Sequence, residues 1–202
     1  MQANRRGPPR HSARVAPEAI ALVLLAAGRG QRFGGRKLAA TLGNKPLARH
    51  AADSLLTIGF GAHIAIVSPD TPPLPGYAQI MLEPPGAPQS RSVTLGVAMA
   101  QNGGAQAVLI ALADMPLVPL AHIRALIAAF DGNRLASRGP HGLLPPVLFG
   151  AQHFAALCSL DGDRGAGALL HDAPALTLSA DAALDVDRAE DLARAQVLID
   201  AR

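Results

Sequence analysis

Seven consecutive apolar residues, Ile20 to Ala26, constrain this chain more than any other stretch. An amphipathic helix or a half-exposed strand would carry polar residues at a period of about 3.6 or 2, and this run carries none. A short unbroken run bounded by glycine fits a strand buried on both faces, the kind found inside a parallel sheet covered by helices. Similar runs predict strands at His63 to Ser68, Ala78 to Glu83 and Ala107 to Leu112, and others around Leu135, Val147 and Leu184. Helices are expected between them at Pro46 to Ile58, Ser90 to Gln101 and Pro119 to Phe130, and from Ala151 and Arg188. Pro46 suits a first helical turn and Gly59 a helix end. Leu120, Ile123, Leu126 and Ile127 form one apolar stripe. Asp161 to Gly167 reads as a glycine-broken turn. Strands alternating with helices imply an α/β fold, a single-domain three-layer sandwich whose mostly parallel sheet has helices on both faces. Ligands of such sheets bind beyond the carboxyl ends of the strands.

The formal charge of +3 is concentrated at the start. Arg5, Arg6, Arg10 and Arg14 precede Glu18 in a segment with Pro8, Pro9 and Pro17, and we read residues 1–18 as a flexible basic tail. Residues 19–202, the expected folded domain, hold 14 basic and 14 acidic side chains. Neither a basic face nor interleaved aromatics are visible, which speaks against a nucleic-acid partner. Cys158, the single cysteine, excludes an internal disulfide and a cysteine-rich zinc site. The apolar run Ala19 to Ala27 is far short of the ~18 residues of a membrane span, so no membrane is expected. A basic start followed by a short apolar run mimics a secretory signal, but cleavage after Ala27 would cut into the segment described next. A cytoplasmic location is expected.

That segment runs Leu25-Ala26-Ala27-Gly28-Arg29-Gly30-Gln31-Arg32-Phe33-Gly34-Gly35-Arg36-Lys37-Leu38. Glycines let a backbone approach a ligand closely and turn successive N–H groups toward an anion. Arg32 and Lys37 can neutralise phosphate oxygens, one as a planar fork and the other as a point charge. A P-loop is excluded: Gly30 and Gly35 fit its glycines, but Arg36-Lys37-Leu38 follows and offers no hydroxyl for magnesium. A dinucleotide fingerprint is excluded because Gly34 comes one residue too late. An arginine-rich surface turn is the plain alternative.

Further on, Val108 to Leu112 leads into Ala113-Asp114-Met115-Pro116. A carboxylate there is placed for a magnesium ligand facing phosphates, or else it only turns the chain before Pro116. Gln89-Ser90-Arg91-Ser92-Val93-Thr94-Leu95-Gly96 opens a helix whose hydroxyls and spare N–H groups suit a nucleotide, unless Ser90 or Ser92 is simply an N-cap. Asp187 and Glu190 have the spacing of a capping box ahead of the last helix.

The segment from Leu25 to Lys37 resembles the opening motif L-A-A-G-x-G-x-R-x-G-x-x-K of the molybdenum-cofactor nucleotidyltransferases, and it matches every specified position. Ala113-Asp114-Met115-Pro116 is similar to that family's metal-binding step. Pro146-Val147-Leu148-Phe149 and Leu160 to Ala166 resemble elements of its cytidylyltransferase branch, and Asp185 to Leu192 resembles the family's D-I-D-T-P-E-D-L. Pro145 and Gly167 depart from the histidine and arginine usual there. The resemblance implies a Rossmann-like nucleotidyltransferase fold and transfer of a nucleoside monophosphate to a phosphate-monoester acceptor, with release of pyrophosphate. It implies nucleotide binding by Leu25, Ala26, Ala27, Gly28, Gly30, Arg32, Lys37, Ser92 and Asp114, with Arg32, Lys37 and Asp114 catalytic. Asp114 and Asp187 would hold Mg2+. Molybdopterin is the implied acceptor, a molybdoenzyme or its chaperone the implied partner. CTP is favoured over GTP because Ala27 stands where guanylyl-transferring relatives carry glycine. The enzymatic alternatives are a GTP-using relative and a methylerythritol-phosphate cytidylyltransferase, whose S-V-x-x-G segment Ser92 to Gly96 resembles. A non-catalytic phosphopterin carrier would need no metal carboxylate.

Overall fold

Strand β1 (Ile20–Ala26) is buried at every residue. The computed structural model describes residues 15–28 and 30–201. After β1 come a small ladder of β2 (Thr41–Leu42) and β3 (Lys45–Pro46), helix α1 (Leu47–Leu55), β4 (Ala62–Val67) and β5 (Ala78–Met81). Then follow α2 (Gln89–Asn102), β6 (Ala107–Leu112), α3 (Leu120–Ala129), β7 (Arg134–Gly139) and β8 (Gly142–Gly150). The chain finishes with α4 (Phe154–Cys158), β9 (Ala175–Thr177) and α5 (Ala189–Asp200). The main sheet has the order β5-β4-β1-β6-β8-β7-β9. It is mostly parallel, and only β8 runs against its neighbours β6 and β7.

Side-chain alternation along β1 builds the two halves of the core. Ile20, Leu22, Leu24 and Ala26 face a layer with Leu47, Ala48 and Ala52 of α1, Ile123 and Leu126 of α3 and Ala195 of α5. Ala21, Val23 and Leu25 face the other layer, with Val93, Val97 and Ala100 of α2 and Phe154 and Leu157 of α4. Helices cover both faces, as the sequence predicts, and their apolar stripes take the side chains of β1 out of water on each side.

Several local expectations shift. Pro46 belongs to β3 and precedes α1, so the helix begins at Leu47. The strand expected near Leu184 is absent: Leu184 is buried, but in a turn where its N–H bonds the Asp181 carbonyl. Apolar character there marked burial, not extension. The last strand is instead β9, paired with β7 from Ala136 to Arg138. The glycine-broken stretch forms two short 3-10 turns within Gly162–Leu169, interrupted at Gly165, whose φ is +50°. Residues 1–14 of the expected tail lie outside the described residues. Pro17–Ala19 form a 3-10 turn, and Val15 packs against the first core layer. Among the described residues, no helix is long and apolar enough to cross a membrane.

Gly96 is where α2 rides closest on β1. A Cβ on it would lie 2.3 Å from Val23 Cγ1. Overpacking of this kind costs ~1–3 kcal/mol, so Gly96→Ala should lower the urea midpoint accordingly. An unchanged midpoint would show that the contact yields freely.

Candidate active site

The carboxyl ends of β1 and β6 open onto one cleft, and the chain places its charged residues there. Beyond β1, the Phe33 and Gly35 N–H groups both donate to the Gly30 carbonyl, at 3.0 and 3.2 Å, curling the loop back on itself. Gly30 has φ +55°, and a Cβ there would stand 3.1 Å from Lys37 Cβ. Glycine is therefore required where the loop folds over the lysine. A 3-10 turn, Lys37–Ala39, then roots Lys37 beside buried Leu38.

Lys37 is 5% exposed, yet it is charged and paired. Its Nζ donates to Asp114 Oδ2 at 2.8 Å and to Asp187 Oδ1 at 2.9 Å. Burial alone would lower its pKa, but the Asp114 charge and the hydrogen bonds to Asp114 and Asp187 outweigh burial and raise it. Backbone bonds fix the carboxylates. Ala113 N–H donates to the Leu25 carbonyl, anchoring the segment after β6 to β1, and Val186 N–H donates to the Asp114 carbonyl. Asp185 and Asp187 flank buried Val186, so both reach the cleft. Arg32 lies at the rim, with Nη1 3.5 Å from Asp187 Oδ2 and 73% of its side chain exposed.

The capping expectation needs correction. Arg188 is the N-cap of α5, and the acceptor is Asp191, whose Oδ2 takes the N–H groups of Asp187 and Arg188 at 3.1 and 2.8 Å. The helix starts one residue later than the Asp187–Glu190 spacing suggests. Asp187 is thereby left to face Lys37.

The cleft has a volume of about 400 Å³ and is lined by Leu25, Ala27, Gly28, Gly30, Arg32, Lys37, Ser92, Asp114 and Asp187, among others. The structure thus brings together every sequence-predicted site residue except Ala26. Alternation turns Ala26 into the first core layer, where its carbonyl accepts a hydrogen bond from Thr71 Oγ1. Ser92 is 5% exposed and borders the cleft. Neither serine caps α2, because Pro88 is its N-cap; Ser90 borders a separate depression with Glu83, Arg91 and Asp161. Gly167 does not line the cleft, and the stretch around it meets the cleft only indirectly, through Gly165 packed against the lining residue Gln89.

Asp185 was missed in the sequence, although its place two residues before Asp187 could have flagged it. Asp114, Asp185 and Asp187 each present an oxygen within 4.8 Å of the others. Asp114 Oδ1 is buried without a hydrogen-bond partner, an arrangement that costs free energy unless something satisfies it. An all-oxygen, all-carboxylate set of this kind suits a hard divalent cation.

A sheet of this order, with a glycine-rich loop and carboxylates meeting at its strand ends, defines a nucleotidyltransferase-type α/β domain. The chain belongs to the MobA-like NTP transferase domain family, which residues 22–180 match. It is 30% identical over 161 residues to the purine catabolism protein PucB of Bacillus subtilis, covering 73% of this chain and 78% of PucB. The structure of Rv0371c from Mycobacterium tuberculosis in complex with manganese is similar, with a TM-score of 0.71 and 24% identity over 87% of this chain and 96% of that one. Molybdopterin-guanine dinucleotide biosynthesis protein A from Archaeoglobus fulgidus shares the fold at a TM-score of 0.63 and 14% identity, over 90% of this chain and all of that chain.

Asp185 supplies a test of the cluster's electrostatics. Enclosure at the cleft end, then the Asp114 charge, outweigh attraction to Lys37 and push its carboxyl up to about 7, although part of the residue meets solvent. In the unfolded chain it titrates near ~4, so the folded protein binds the extra proton and loses stability as pH rises from there toward 7. Without metal, Asp185→Asn should melt above wild type at pH 8, the gap narrowing toward pH 5. A variant that melts below wild type at pH 8 contradicts this.

Proposed function

We propose that this nucleotidyltransferase-family domain transfers CMP from CTP to the phosphate of a molybdopterin-type acceptor and releases pyrophosphate. The observation that carries the reading is the meeting of Lys37 with Asp114 and Asp187 beneath the glycine-rich loop. An acceptor phosphate oxygen attacks the α-phosphorus in line, the bond to the bridging oxygen breaks, and pyrophosphate leaves with that electron pair. No protein nucleophile is needed, so catalysis reduces to positioning and charge stabilisation.

The open backbone at Gly28, where a Cβ would meet nothing within 4 Å, leaves room for phosphates to lie against the loop. Arg32 and Lys37 neutralise charge developing on the leaving pyrophosphate. Asp114 and Asp187, with Asp185 beside them, would hold a divalent ion, Mg2+ in our reading, which would neutralise phosphate charge when bound. Ser92 orients the nucleotide from the start of α2. The molybdopterin acceptor is supported by the resemblance of residues 25–37 to molybdenum-cofactor enzymes and by the fold shared with the archaeal molybdopterin-guanine dinucleotide protein. The resemblance of residues 92–96 to the nucleotide-contacting S-V-x-x-G segment, with Ser92 lining the cleft, also supports a methylerythritol-phosphate cytidylyltransferase reading, whose acceptor the assay should include.

Pyrophosphate release from each nucleoside triphosphate with magnesium and each acceptor tests the reading. CTP with molybdopterin should be turned over fastest, and no turnover by any pair would remove the proposal. Lys37→Ala should lose ~10²–10³-fold in turnover, as for other transition-state charge stabilisers, while remaining folded. Wild-type rates would reject its role. Ala27→Gly should shift preference toward GTP by about 10-fold or more, the usual worth of a methyl in a pocket. An unchanged CTP-to-GTP ratio would show that Ala27 does not select the base.

A further inference from the structure

Lys37 stands where a cation entering the carboxylate cluster would stand. Its ammonium is 2.8 Å from Asp114 Oδ2 and 2.9 Å from Asp187 Oδ1. These two residues, with Asp185, make up the cluster whose oxygens lie within 4.8 Å of one another. One oxygen of Asp114 and one of Asp187 are therefore engaged by the lysine. Asp114 Oδ1 is the buried oxygen left without a partner. A divalent ion arriving alone would meet a positive charge already seated among its ligands, and like charges at such distances repel strongly where solvent is sparse.

The lysine has the means to move aside. Its backbone is rooted by the turn Lys37–Ala39 and by the loop folded over its Cβ, but its four-carbon stem is flexible and its ammonium is a point charge without fixed direction. A triphosphate in the cleft offers phosphate oxygens as substitutes for the carboxylates. Arg32, largely exposed at the rim and 3.5 Å from Asp187, is placed to meet those phosphates first.

We infer that Lys37 is the cluster's own counter-ion, and that a divalent ion enters only together with a nucleoside triphosphate, whose phosphates draw the ammonium off Asp114 and Asp187. This rests on the nucleotidyl-transfer reading and deepens it: Lys37 keeps a free divalent ion out of the carboxylate cluster until a triphosphate arrives. The coupling is reciprocal, so metal-free triphosphate also binds more weakly, since drawing Lys37 away then leaves Asp114 and Asp187 without a counter-ion.

Manganese chloride alone, titrated against the full chain and followed by the electron-paramagnetic signal of free Mn2+, tests this without turnover. Lys37→Met should bind the ion about tenfold more tightly than wild type or better, and Lys37→Arg, which keeps the charge, should stay near wild type. Equal affinity of Lys37→Met and wild type would overturn the inference. Should Lys37→Met fail to fold, the 15N signal of the Lys37 ammonium in wild type decides. Magnesium alone should leave it unchanged, and magnesium with an α,β-methylene CTP analogue should shift it; a shift with magnesium alone overturns the inference. If calorimetry shows no binding of the analogue, the nucleotide reading falls, while the manganese comparison still decides whether the lysine excludes the free ion.

Discussion

A buried ammonium shared by two carboxylates ties this structure together. Lys37 comes from the first crossover of the sheet, Asp114 from the end of β6 and Asp187 from the approach to α5, separated by 77 and 150 residues in the chain. An unpaired charge at the burial of Lys37 would be costly, and breaking one partner of such a cluster leaves the others uncompensated. The fold therefore has to deliver both aspartates to the lysine. It does so through a few backbone bonds, from Ala113 to Leu25 and from Val186 to Asp114, which lock the two acidic segments to the central strands.

Function grows from the same imbalance. Three carboxylates face one buried lysine, and one of their oxygens is buried and unsatisfied. A site in this condition attracts cations, and in the proposed reading the glycine-rich loop above it receives the anionic phosphates. A metal–triphosphate complex carries both in one ligand. The apolar floor formed by Leu25, Ala27 and Leu112 adds low-dielectric walls, which strengthen each electrostatic contact inside the cleft.

The parts of this architecture that depend on short-range pattern were legible in the sequence. Ile20–Ala26 announced a doubly buried strand, and Ala107–Leu112 appears as a strand with the expected bounds. The glycine and cation spacing from Gly28 to Lys37 marked the loop, and Asp114 was marked by its position just past a buried strand. The direction of β8 was not inferred, although only Pro140 and His141 separate it from β7, and so short a connection forces an antiparallel pair. β9 escaped because three partly exposed residues at a sheet edge carry almost no periodic signal. The pairing of Lys37 with Asp187 depends on which loops the topology brings together, and spacing within the chain does not encode that.

Central to the account is that the phosphates and a divalent ion converge on Lys37, Asp114 and Asp187. Crystals grown with an α,β-methylene CTP analogue and manganese, measured at the manganese edge, test it most directly. The account predicts an anomalous peak against the Asp114 and Asp187 carboxylates, with the triphosphate lying along the loop of residues 27–37. A nucleotide seated in another depression, or manganese bound away from these carboxylates, would contradict it.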